Sequence, residues 1–383
     1  MDTRKRGVSI IGLLSVLVMF VLFSEQRAGW IEEIEYKNES GITPIISANG
    51  DGNNLKIKLE FIGHLGEIDS EDENYLFYRP CDIAGDSEGN LYVLDAGNHR
   101  VQKFDNKGKH LATFGGSGQG PGEFLWPLSI DLDKEGNIYV ADWRNCRLEV
   151  FSSHGEYIRS IKLITPVHRI RLLSSGEIAI MNPRVGRENS SYEESDDGSK
   201  PFLPLIKIID ESGIVTRKFG EGIIFKTFPL VNGGNRLIFT KDNGDNIYLA
   251  LLFQNRIEKF TSEGKLVYQT SRPVSDEMHH RTANKPNLYV LISQGIDVDS
   301  LGRIWIITVT RRTNKKEIPP AGLELTETDR YRLDVFDSKG TFLKSFPLTH
   351  FCDDMRIIDD KIYILDQSRT MRFYIYKISE NAR

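Results

Sequence analysis

The 383-residue sequence predicts an all-β protein, a closed ring of six four-stranded blades, on three observations. An apolar tetrad, Leu91-Tyr92-Val93-Leu94, returns as Ile138-Tyr139-Val140-Ala141, Ile178-Ala179-Ile180-Met181, Ile247-Tyr248-Leu249-Ala250, Ile304-Trp305-Ile306-Ile307 and Ile362-Tyr363-Ile364-Leu365. The stretch around the first tetrad, Gly89 to Gly108, comes back 47 residues later as Gly136 to Gly155, and a period of that length marks a repeat architecture. The sixth copy stops one strand short, while an unassigned strand precedes the first copy.

In chain order, Arg4, Lys5 and Arg6 precede Gly7 to Phe23, 17 residues without a charge. This is the layout of an export segment, and 1–24 reads as a signal peptide or an N-terminal membrane anchor. Residues 25–54 are polar and turn-rich and read as a tether with little structure of its own. Leu55 to Gly63, LKIKLEFIG, alternates as a half-buried strand does.

From Pro80 each repeat spells an apolar strand ending at a Gly turn, the tetrad, and a third strand that opens with Arg and closes with an aromatic. Arg100 pairs with Phe104, Arg147 with Phe151, Arg256 with Phe260, Arg332 with Phe336 and Arg372 with Tyr376, and only Leu205 to Ile209 breaks the pattern. A fourth strand follows in the first five copies, as in His110 to Phe114 and Phe342 to Phe346. The sixth ends at Tyr376-Lys377-Ile378, so Leu55 to Gly63 is expected to complete it; closure of the ring removes the unpaired edges. The ring spans 55–378, with 379–383 a tail.

The pattern from Pro80 to Phe104, Pro-(x)8-Gly-Asn-(Leu/Ile)-Tyr-Val-(x)-Asp-(x)2-Asn-(x)-Arg-(x)3-Phe, holds again at Pro127 to Phe151 with Asn145 in place. It resembles the NHL repeat, which implies a six-bladed beta-propeller. The motif residues are scaffold and carry no activity by themselves.

The chain is 39% hydrophobic and 27% charged, ample for a core, and its net charge of −5 speaks against a nucleic-acid surface and does not favour an acidic ligand. Three cysteines are too few for a disulfide scaffold. In this blade order the insertions 182–202 and 309–331 interrupt second-to-third-strand connections and 273–286 joins blades four and five, so all three leave one end of the ring. Long loops on a rigid scaffold carry binding residues. Arg184, Arg187, His279, His280, Arg281, Arg311 and Arg312 are the candidates there, with Glu193, Glu194, Asp196 and Asp197 making the blade-three loop acidic.

Aligned on the Gly turns, Cys81, His168 and Cys352 fall at equivalent strand entrances, followed by Asp82, Arg169 and Asp353, with Gln294 in blade five and His350 two residues before the register. Thiol, imidazole and carboxylate at a channel mouth are the donor set for one zinc or calcium at Cys81, His168 and Cys352, and for acid/base work by His168, Arg169, Asp82 and Asp353. The bland alternative has the cysteines packed as small hydrophobes or bridged as Cys81–Cys352, and His168 and Arg169 bonded to carbonyls. Exported propellers that this chain resembles include peptidylglycine alpha-amidating lyase and streptogramin lyase, which would make His168 and His350 ligand or base positions. Cys81, Leu128, Leu237 and Gln294 occupy that register in blades one, two, four and five, so no three-histidine set is evident.

Other signals are structural. Asp131-Leu132-Asp133 and Asp297-Val298-Asp299 resemble calcium-loop fragments but sit at the hairpin turn of the repeat. Gly115 to Gly122 lacks the Lys-Ser/Thr ending of a phosphate loop. The recurring arginines read as blade-to-blade packing. Two functions stay open: a non-catalytic exported binding module for a protein, peptide or glycan, and a metal-assisted lyase or hydrolase. The first expects no cofactor. The chain is expected to be a monomer in the periplasm or outside the cell, touching membrane only through residues 7–23.

Overall fold

A computed structural model describes residues 57–181, 203–222, 235–274, 291–311 and 327–380, with the backbone of Ile45–Ile46, Glu193–Glu194 and Pro201–Phe202. Six antiparallel four-stranded sheets follow one another in the chain. Blade one is Pro80–Gly85, Leu91–Asp95, Arg100–Phe104 and His110–Gly115. Blade two is Pro127–Leu132, Ile138–Asp142, Arg147–Phe151 and Tyr157–Lys162. Blade three, Arg169–Leu172, Ile178–Met181, Pro204–Ile209 and Val215–Glu221, keeps the third strand that lacks the Arg-aromatic signature. Blade four is Leu237–Lys241, Ile247–Leu251, Ile257–Phe260 and Leu266–Ser271, and blade five is Ser293–Val298, Ile304–Val309, Tyr331–Phe336 and Phe342–Leu348.

The last blade has three late strands, Asp354–Ile358, Lys361–Asp366 and Arg372–Glu380, and takes its fourth from the N-terminal side, Ile57–Leu65. The closing strand therefore lies where the sequence puts it and runs two residues further, to Leu65, while its partner extends to Glu380, so 379–380 belong to the last blade rather than to the tail. A bulge between Phe61 and Gly63 lets pairing run on to Leu65 opposite Phe373, and Gly63, at φ 148°, supplies the backbone angle. Within the stretch read as a tether, Ile45–Ile46 runs parallel to Thr270–Ser271 at the outer edge of blade four.

The tetrads are unbroken apolar runs because each second strand is buried on both faces. In blade one Leu91 and Val93 pack with Tyr363, Leu365 and Phe373 of blade six. Their alternates Tyr92 and Leu94 pack with Ile130, Ile138 and Val140 of blade two. The period-two alternation of a strand thus joins each blade to both neighbours.

The recurring arginines tie down the blade connections. Asp95 accepts from Tyr78 N at 2.7 Å, Asn98 Nδ2 at 2.8 Å and Arg100 Nε at 2.8 Å, while Arg100 Nη2 donates to Glu73 O at 2.8 Å. Asp142 repeats the arrangement with Leu125 N, Asn145 and Arg147, whose Nη2 reaches Gly120 O at 2.8 Å. Arg256 donates to Glu221 O and Arg332 to Pro273 O. Asp133 and Asp299 accept from the backbone of Glu135 and Asn137 and of Leu301 and Arg303, which makes them turn residues.

Candidate functional site: the central channel and its two mouths

Each first strand enters at the loop-bearing end and leaves at the hairpin turn, so alternate side chains face the axis. Those positions hold Asp82, Asp131, Arg169, Arg171, Thr240, Asp297, Asp354 and Arg356. The charges pair across the ring. Arg169 of blade three meets Asp354 of blade six, Arg171 Nη1 lies 3.6 Å from Asp82 Oδ2, and Arg356 Nη2 lies 2.7 Å from Asp131 Oδ1 with Nε 4.0 Å from Asp297 Oδ2. Ser129 Oγ donates to Asp82 at 2.8 Å and Thr240 Oγ1 to Asp297 at 2.5 Å. Burial pushes the Asp82 carboxyl up, but the guanidiniums of Arg171, Arg356 and Arg169 outweigh it and hold it below its ordinary value. Burial opposes charge on Arg356 as well, yet Asp131, Asp82 and Asp297 keep it more firmly protonated than usual.

Three guanidiniums and four carboxylates thus fill the middle of the channel. At the hairpin-turn end Asp131, Arg171, Asp297 and Arg356 of this set floor a cleft of ≈ 360 Å³, lined also by Thr240 and Lys241, among others. This opening lies opposite the end that the insertions mark. Only Arg169 and Asp82 of the network stood among the sequence candidates. The sequence reads Asp131 and Asp297 as turn residues, whereas the turns are made by Asp133 and Asp299, two positions on.

Cys81, His168 and Gln294 hold the predicted register, but in blade six that position belongs to Asp353, with Cys352 one residue before it. Asp82, Arg169 and Asp354 are the residues that pair with the last tetrad residues Leu94, Met181 and Leu365. Each entrance residue bonds within its own surroundings. Cys81, half-buried, directs its thiol to Pro127 O at 3.5 Å and Leu94 O at 3.8 Å. Buried Cys352 donates to His350 O at 3.2 Å. Both thiols are free, so the Cys81–Cys352 bridge of the bland alternative does not form. Burial, with Asp82 and Asp95 beside Cys81 and with Asp353 and Asp366 near Cys352, raises both thiols, the wrong direction for a thiolate ligand or nucleophile. His168 stands edge-on to Trp143 at 5.8 Å, and His350 stacks on Tyr374 at 3.8 Å. Arg169 pairs with Asp354 rather than with the neighbouring Asp353. Among the described residues no group of three His, Cys, Asp or Glu side chains is arranged to hold a metal ion.

Asp353 has its own environment. It accepts from Gln367 N at 2.9 Å and faces Gln294 Nε2 at 3.4 Å, and burial together with the nearby Asp366 carboxylate pushes it up to about 6. A folded-state value above the unfolded one, roughly 3.9, means that the native state holds the extra proton. Stability from this group is therefore present at about pH 4 and is lost as pH rises through 6. Asp353→Asn is expected to flatten that fall and to raise the melting midpoint at pH 7, measured by melts from pH 4 to 7.5; an unchanged slope would show that Asp353 is ionised like an ordinary surface carboxylate.

Of the loop candidates, Arg311 pairs with Asp329 at the base of the blade-five insertion. Arg184, Arg187, His279, His280, Arg281 and Arg312 lie outside the described residues, as does the export segment. Among the described residues no helix is long and apolar enough to cross a membrane.

The model of a family described as a 6-bladed beta-propeller, DUF5128, matches residues 73–165, which hold the first two blades. Two Bacteroides structures are similar across the ring. A B. fragilis protein described as exported is 12% identical, with TM-score 0.57 over 89% of this chain and 100% of its own. A DUF4221 member from B. vulgatus is 10% identical, with TM-score 0.58 over 85% and 99%. Virginiamycin B lyase from Staphylococcus aureus, 15% identical over 85% and 100%, gives TM-score 0.49 and carries no argument about chemistry. No curated protein matches the sequence. At these identities the likeness is one of fold: the chain is a six-bladed beta-propeller. The matched family is described by its blades alone, so the NHL resemblance rests on the sequence pattern.

Proposed function

We propose that the protein is an exported, non-catalytic binding module that holds its ligand at the loop-bearing end of the ring. One observation carries this reading: the three insertions spring from adjoining blades at the same end. Their bases are Met181 and Leu203 in blade three, Val274 and Leu291 between blades four and five, and Arg311 and Glu327 in blade five. A rigid ring with its longest loops gathered over one sector suits selective binding. Supporting it, the channel carboxylates and guanidiniums are engaged with one another, as a scaffold requires. Export rests on Arg4 to Arg6 and the uncharged run after them.

The lyase or hydrolase reading keeps one supporting feature, the raised carboxyl of Asp353 at the same mouth. The test is to probe the fragment Glu25 to Arg383 against glycan and peptide arrays, beside a version whose three insertions are replaced by short Gly-Ser links. The expected result is specific binding that is lost on trimming while the melting midpoint holds. Equal binding by the trimmed ring would overturn the reading. Bound zinc or calcium by elemental analysis, lost in His168→Ala, would favour the enzyme.

A further inference from the structure

The loop-bearing mouth carries a feature on its opposite sector, over blades one and two. Trp126 lies just before the entrance proline of blade two, and Arg79 just before that of blade one. Arg144 sits in the second-to-third-strand turn of blade two. Both arginines stack on the one indole, with Arg79 Cζ 4.9 Å and Arg144 Cζ 5.6 Å from its ring centroid. Among the described residues neither guanidinium has a carboxylate or carbonyl partner. This sets them apart from Arg100, Arg147, Arg169, Arg171, Arg256, Arg332 and Arg356, each of which meets a carboxylate or a backbone carbonyl. Arg79, at φ 52°, and Trp126, at φ 66°, hold left-handed backbone angles that side-chain-bearing residues before proline avoid. They are fixed there by Tyr78 N and Leu125 N bonding to Asp95 and Asp142 and by Gly97 N and Arg144 N bonding to Tyr78 O and Leu125 O.

We infer that Arg79 and Arg144, held on Trp126, form an oxyanion clamp for an acidic glycan. A stacked guanidinium keeps its planar fork of donors free and is already ordered, which suits two-point recognition of carboxylate or sulfate. Beside the clamp stand exposed Tyr78, 47% accessible, and half-buried Trp143, aromatic faces on which the C–H side of a sugar ring can lie. An extended peptide has no place to add as a strand, because the mouth offers strand ends and turns while the free sheet edges lie at the rim. The net charge of −5 disfavours an acidic ligand for the surface as a whole, so this patch is a local exception. The proposal rests on the reading of this end as a binding face and names the ligand class.

The test uses Glu25 to Arg383 on immobilised heparin, on polygalacturonate and on neutral dextran, with poly-glutamate as the peptide control. Retention on one of the acidic glycans at moderate salt is expected, with none on dextran. Arg79→Ala/Arg144→Ala should weaken it at least tenfold at an unchanged melting midpoint. Arg79→Lys/Arg144→Lys should recover only part, because lysine keeps the charge but not the fork. Undiminished retention of the alanine pair, no retention of the wild type on either acidic glycan, or retention on poly-glutamate alone would overturn the proposal. Retention that survives trimming of the insertions but is lost in the alanine pair upholds the clamp while refuting the loop-held reading.

Discussion

A chain that starts at Gly66, without Ile57–Leu65, is expected not to fold cooperatively, whereas one that starts at Leu55 should melt like the full ring. The closing strand pairs along its length with Arg372–Glu380, from Ile57 opposite Glu380 to Leu65 opposite Phe373. Ile57, 1% exposed, packs in the cluster that joins blade six to blade five through Trp305 and Ile364. Leu65 packs with Phe77, Phe104 and Phe373, joining blade six to blade one. Losing two buried aliphatic side chains removes about 1.5–3 kcal/mol each. Each lost backbone hydrogen bond adds about 0.5–1.5 kcal/mol. The total rivals the whole stability of a domain, about 5–15 kcal/mol. The bared edge of Arg372–Glu380 would then pair between molecules, so aggregation should accompany the loss. Circular-dichroism melts and size exclusion check this. A soluble, cooperative ring from Gly66 onward would show that the last blade closes without its N-terminal strand.

The second large effect is expected at Arg356. Its guanidinium answers Asp131 at 2.7 Å and Asp297 at 4.0 Å in the middle of the channel. Asp297 also accepts from Thr240 Oγ1 and Ile357 N, and Asp131 from Leu172 N. Removing one partner of a buried network leaves the others desolvated without compensation, at about 3–5 kcal/mol. Arg356→Ala should therefore lower the melting midpoint by roughly 10 °C, at about 2–4 °C per kcal/mol for a large domain. Removing charge from both sides, as Asp131→Asn/Arg356→Met, should recover more than half the loss, because the nearest carboxylate is no longer stranded and only Asp297, the more distant partner, still loses the guanidinium. Urea unfolding of the three proteins checks it. An Arg356→Ala ring as stable as the wild type would mean that solvent already screens the channel charges.

Blade architecture was legible because both-face burial writes unbroken tetrads into every second strand, and because the missing last strand and the spare first one match. The Arg-Asp-Asn corner was legible as scaffold for the same reason: Arg100 and Arg147 recur in register. The channel network was not. Arg171 and Arg356 look like surface residues in strands until the ring sets blade three against blades one and six, and Asp131 reads as a turn residue because Asp133 beside it is one. Counting back from the turn misplaces Cys352, which lies one residue before the register of Cys81 and His168 because Asp354, not Asp353, pairs with the last tetrad residue Leu365. Along a strand alternate residues face opposite ways, so Asp82 faces the axis while Cys81 turns to the Pro127 carbonyl of blade two. The clamp was hidden in two blade connections and a turn, since nothing local says that Arg79, Trp126 and Arg144 meet.

Hydrogen–deuterium exchange of the fragment Glu25 to Arg383, with and without the tightest-binding glycan or peptide from the arrays, asks which mouth holds the ligand. The account predicts protection at the loop-bearing end, in residues 76–81, 124–128 and 143–146 and at the bases of the insertions. It predicts no change at the hairpin-turn end, in 131–134, 241–243 and 356–357. Protection confined to that second set, around the cleft floored by Arg171 and Arg356, would place the binding face at the wrong end of the ring and contradict it.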